Sequence, residues 1–116
     1  MNRTAINAQI SAAIRVRQNG QWRDAEAKLD WLYDRRDELP TDCLAYVLAI
    51  QATFAEQEGD WLRARSLYAD ARRLYERCNA PGNADAATRG WERCASRILG
   101  VEAGEVYEEI ERRKVG

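Results

Sequence analysis

The sequence predicts an all-α protein built from paired helices. Three observations point there. Apolar residues recur at helical spacing along nearly the whole chain. Only two prolines occur in 116 residues, Pro40 and Pro81. The motif Gly-x-Trp-x-x-Ala is written twice, as GQWRDA from Gly20 and GDWLRA from Gly59, 39 residues apart.

A first helix is expected over Ala5–Gln18, capped by Thr4 and stopped at Asn19-Gly20. A second runs from Trp22 to about Glu38, where Leu39-Pro40 interrupts it. Thr41 or Asp42 caps a third, reaching about Glu56. Gly59-Asp60 opens a fourth, to about Cys78. Asn79-Ala80-Pro81-Gly82-Asn83 is the clearest loop. A fifth helix follows from about Ala84 to Leu99. Gly100 is expected to break it, leaving a sixth from Glu102 to about Lys114. No strand is needed.

A shift of 39 residues aligns Gly20 with Gly59, Trp22 with Trp61, Ala25 with Ala64, Leu29 with Tyr68 and Leu32 with Ala71. One more shift reaches Ala103, Tyr107 and Ile110, with Ile98 where the turn glycine belongs. Small residues let two helices approach, so Ala25, Ala64 and Ala103 mark the expected crossings. GDWLRARSLYADA resembles the tetratricopeptide repeat, with Gly59 at its turn, Ala64 at the close approach, Tyr68 as the large knob and Ala71 one turn on. The chain departs from that family in its period, which is 39 rather than about 34. It departs also at Leu48, which stands at the family's tryptophan, and at Gln51-Ala52, which replace its Leu-Gly pair. The resemblance implies a single domain, a short right-handed α-solenoid of three tetratricopeptide-like units near residues 6–44, 45–83 and 84–116. The last helix, rich in Glu102, Glu105, Glu108, Glu109 and Glu111, would be its polar cap.

Composition excludes several functions. Net charge is −1, so no field gathers nucleic acid over the whole surface. Arg63, Arg65, Arg72, Arg73 and Arg77 share one helix, but Asp70 and Glu76 interleave, which reads as a solvated face. Histidine is absent, removing the commonest general base and metal ligand. Three cysteines, Cys43, Cys78 and Cys94, lack CxxC spacing and form neither a zinc site nor a disulfide framework. Cys43 reads as a small core filler in a reduced, cytoplasmic protein, while Cys78 and Cys94 flank the loop and could approach each other. The first 23 residues lack acids, as mitochondrial presequences do, yet they fit the repeat as an ordinary helix. No apolar run approaches the ~20 residues of a membrane span. No cofactor, metal or catalytic group is expected.

Binding is therefore the expected activity. The resemblance implies a concave groove made by the first helix of each unit and offered to a protein or peptide segment. Its positions are Asn7, Ile10 and Ile14, then Tyr46, Ala49 and Thr53, then Asp85, Thr88 and Glu92. None is basic, so an acidic C-terminal peptide is not expected there. Ile6, Ile10 and Ile14 recur every fourth residue, while Ala12, Ala13 and Val16 suffice to meet the second helix. Ile10 and Ile14, with Tyr46 and Thr53, are thus expected to line an apolar stretch suited to an amphipathic helix or short strand. The alternative is that the first helix rolls all three isoleucines into the core. Self-association through that apolar face, as a homodimer, is the competing function. Trp31 aligns with Asp70 and Glu109, so it is expected on the convex side as a further contact, or packed on Met1 to Arg3. Trp22 and Trp61 are expected under the turns and Trp91 in the core.

Overall fold

The structure, a computed structural model, describes the backbone of residues 1–115 and the side chains of residues 1–100. It contains five α-helices: α1 (Arg3–Gln18), α2 (Trp22–Asp34), α3 (Thr41–Gln57), α4 (Trp61–Arg77) and α5 (Pro81–Val115). A short 3-10 turn, Arg36–Glu38, follows α2. No strand occurs among the described residues.

Three expectations about the elements are corrected. The connection between α4 and α5 is only three residues, Cys78, Asn79 and Ala80, because Pro81 starts α5 rather than preceding it. Proline suits a first helical position, where its missing N–H would have had no partner. Gly100 does not break the helix: α5 is one element of 35 residues, so five helices stand where six were expected. A single glycine in a helix interior costs only about 1 kcal/mol against alanine, too little alone to end it. At the other end, α1 begins two residues early. Asn2 rather than Thr4 caps it, accepting a 2.8 Å hydrogen bond from the Ala5 N–H.

The turns show why the motif is written twice. Gly20 and Gly59 both take left-handed backbone, at φ 85° and 80°. After each, the next N–H bonds back to a carbonyl five residues earlier, Gln21 to Val16 and Asp60 to Ala55. That is the Schellman ending, which favours glycine because a Cβ opposes positive φ. Asn79 makes the same ending for α4, at φ 59°, with Ala80 bonded to Tyr75.

The tight turns make helical hairpins of α1 with α2 and of α3 with α4, and α5 packs on α4. α3 also meets α1, α2 and α5, so it is the central helix. The alanines expected at crossings, Ala25 and Ala64, are fully buried; Ala103 lies outside the described side chains. Leu29, Leu32, Tyr68 and Ala71 are buried as the alignment expects. Ile6 and Ile10, both 0% exposed, pack with Leu32, Leu39, Cys43 and Val47. Ile10 is therefore a core residue and not a groove residue. α1 rolls so that its isoleucine stripe faces inward, and only Ile14, near the end of α1, remains partly open.

The tryptophans are also corrected. Trp22 is 55% exposed rather than tucked under its turn, and Trp91 is 40% exposed rather than in the core. α5 instead buries Ala84, Ala87, Gly90 and Cys94. Gly90 carries the closest approach, since a Cβ there would lie 2.6 Å from the Tyr68 ring. The molecule extends 64 × 33 × 20 Å.

Candidate functional site

One continuous furrow follows α3. Toward the end of α3, a depression of about 930 Å³ is lined by Thr53, Glu56, Trp61, Arg89, Arg93 and Arg97, among others. A second, toward the start of α3, adds Tyr46, Ala49, Tyr75, Asn83 and Ala86. A third, on the side of α1, adds Ile14, Arg17, Trp22 and Phe54. Thr53 borders all three, Ile50 the second and third, and Arg89 and Arg93 the first and second. The three are thus parts of one surface.

Its axis follows from pairing. Asn83 lines the furrow with Tyr46, and Arg93 bonds Glu56. Both pairs are 37 residues apart, so α5 runs parallel to α3, with the furrow between them. The floor is half apolar, from Ile14, Ala49, Ile50 and Phe54, and the far wall is a row of arginines.

That wall is built around Glu56. Arg93 donates to both its carboxylate oxygens, at 2.9 and 3.0 Å, and the Tyr68 hydroxyl donates to Oε1 at 2.7 Å. The Arg93 guanidinium first, then Tyr68, hold the Glu56 carboxyl below its ordinary range against partial burial. The Tyr68 hydroxyl also lies 3.3 Å from Thr53 Oγ1, and burial pushes its pKa up. Across the furrow, Arg17 lies between the rings of Phe54 and Trp22, at 4.4 and 5.2 Å from their centroids. It donates to Gln57 Oε1 at 2.8 Å and to Glu58 at 3.1 Å. Arg97 sits over the Trp61 ring at 5.4 Å. Such a cation–π contact holds the Arg97 guanidinium in place while leaving its donors open.

The six residues expected to bind a partner do not all meet. Ile14, Tyr46 and Thr53 line the furrow. Ile10 is in the core, and Asn7 is exposed on α1 without lining any described depression. Trp31 is 42% exposed on α2, with Arg35 stacked 3.7 Å from its ring centroid. It borders a separate shallow depression with Val16 and Lys28.

The expectation that the groove holds no basic side chain is overturned. Arg89, Arg93 and Arg97 form the wall, and Arg17 stands opposite. The signal was present in the sequence: these three arginines recur every fourth residue, one straight ridge on a helix. Ala87 and Cys94, on the same expected stripe as Trp91, are buried; Trp91 alone stands at its exposed edge.

The α4 arginines do pair as expected of a solvated face, Arg72 with Glu76 and Arg73 with Asp70. All three cysteines are free, and burial raises the Cys43 and Cys94 thiols, which makes them poor nucleophiles. Among the described residues, no cluster of potential metal ligands occurs, and no helix is long and apolar enough to cross a membrane. No protein-family model, curated protein or solved structure matches the chain.

Proposed function

We propose that this chain is a non-catalytic binding module, an adaptor or scaffold, of the tetratricopeptide-like class. In this reading it is a short right-handed solenoid whose three units begin with α1, α3 and α5. The turns at Gly20 and Gly59, alike in backbone conformation and hydrogen bonding and 39 residues apart, support the repeat. The observation that carries the function is the furrow: one surface, reached by α1, α3 and α5 alike, with an apolar floor and an arginine wall. A partner segment would lie along it, its apolar side chains on Ile14 and Ile50 and its polar groups toward Arg89 and Arg97. The exposed Trp31 would add a contact on the opposite side, as large exposed aromatics do at interfaces. Three free thiols suit a reducing cytoplasm. Self-association through the apolar face of α1 is not proposed, because Ile6 and Ile10 are spent in the core.

Thr53 borders every part of the furrow and is only partly buried, so Thr53→Trp would fill it. A partner captured by the wild type from its native lysate should be lost by Thr53→Trp while the melting temperature stays close to wild type. Retention of the partner by that variant would refute the furrow as the binding surface.

A further inference from the structure

We infer that the furrow receives the acidic C-terminal segment, residues 102–111, of a second copy of this chain. This rests on the binding reading above and names the occupant.

Charge is the first observation. Of the four furrow arginines, Arg93 is taken up by Glu56 and Arg17 by Glu58. Arg89 and Arg97 have no carboxylate within ion-pair distance among the described residues. The free acid beside them is Glu92, so the open furrow is short of negative charge. Residues 102–111 read EAGEVYEEIE: five glutamates in ten positions, with Val106, Tyr107 and Ile110 between them. Apolar side chains for the floor and carboxylates for the wall thus come in one segment.

Length is the second. α4 has 17 residues and α5 has 35, or about 25 and 52 Å at the helical rise. The second half of α5 has no such companion in α4. Because α5 runs unbroken through Gly100, residue 110 lies about 20 Å along the axis past Arg97. An unbroken helix cannot turn back into its own furrow, so only another molecule's furrow is within reach. Spacing agrees. Arg89 and Arg97 are about 12 Å apart along α5, and positions 102 and 109 about 10.5 Å. Leu99, 64% exposed where the segment begins, adds apolar surface. The contact joins two different surfaces, so it is head-to-tail and forms open chains or rings rather than a two-fold dimer.

The test uses the full chain and light scattering after size separation. Wild-type mass should rise with concentration up to about 1 mM. It should fall to the monomer when salt goes from about 50 to about 500 mM, as screened pairs do. Arg89→Glu with Arg97→Glu, and separately Glu105→Lys with Glu108→Lys and Glu109→Lys, should each weaken association about tenfold or more. Mixing the two variants should restore it, since each offers the surface complementary to the other's. Circular dichroism melts check folding, and Arg89→Glu alone replaces the double variant if loss of the Arg97 stack unfolds it. A wild type that stays monomeric throughout overturns the inference, as does association that neither charge reversal disturbs. In either case the wider binding reading is judged separately, by the loss or retention of a foreign partner in Thr53→Trp.

Discussion

Glu56 ties three helices through one carboxylate: its own α3, α4 through Tyr68, and α5 through Arg93. The pH dependence follows from the sign of its shift. Its folded pKa lies below the ordinary 4.5, so the carboxylate stabilises the fold above that value. That stability is lost as pH falls through the lower, folded value. Glu56→Gln keeps an acceptor for Tyr68 but removes the charge that Arg93 meets. The variant should be less stable than wild type near neutral pH, by about 1 kcal/mol for a partly exposed pair. The gap should close as acid titrates the wild type below 4.5. Urea midpoints measured across that range check it, and a gap that persists at low pH would show that Glu56 acts by shape alone. Little of this network was legible beforehand. The sequence marks Glu56 only as the end of a helix, because residues 37 apart show no pairing signal in a single chain.

Among the elements, α5 departs furthest from expectation, and Gly90 is the reason it packs as it does on α4. Its absent side chain lets α5 seat against the Tyr68 ring, which rotates Ala84, Ala87 and Cys94 inward and the arginines toward the furrow. Gly90→Ala should therefore destabilise, despite alanine's better helix propensity. The overpacking term of about 1–3 kcal/mol outweighs a propensity gain of about 0.5–1 kcal/mol. Gly82→Ala in the same helix meets nothing within 4 Å and should stabilise instead. Denaturant midpoints for the two variants should move in opposite directions, and equal shifts would remove Gly90 as the seat. Where a helix showed a narrow apolar stripe and a marked turn, as α4 does after Gly59, its register was legible. Where the contact is made by a missing side chain, apolar periodicity finds the face that buries Ala87 and Cys94 but assigns its centre to Trp91 rather than to Gly90. α1 erred differently. Its isoleucines were read as surplus because Ala13 and Val16 already met α2, but α3 lies across α1 as well, and Ile6 and Ile10 pack against Cys43 and Val47 there.

For the whole molecule, helical class was readable from periodicity, and hairpin pairing from the two glycine turns. The furrow was partly readable, through Ile14, Tyr46 and Thr53. Its electrostatic character was not, since that depends on how neighbouring helices rotate against each other. The uneven lengths of α4 and α5 have a further consequence, for hydrodynamics. A compact chain of this length would have a radius of gyration of about 13 Å. The Cα radius here is 17.3 Å, and the long dimension is about twice the next. Frictional drag grows with such elongation, so a single molecule of 13.3 kDa should leave a sizing column early, at the position of a heavier sphere. Read against globular standards, the monomer would pass for a dimer. Small-angle scattering at low concentration and high salt should return a radius near 17 Å together with a monomeric forward intensity. A radius near 13 Å would mean that α5 folds back in solution.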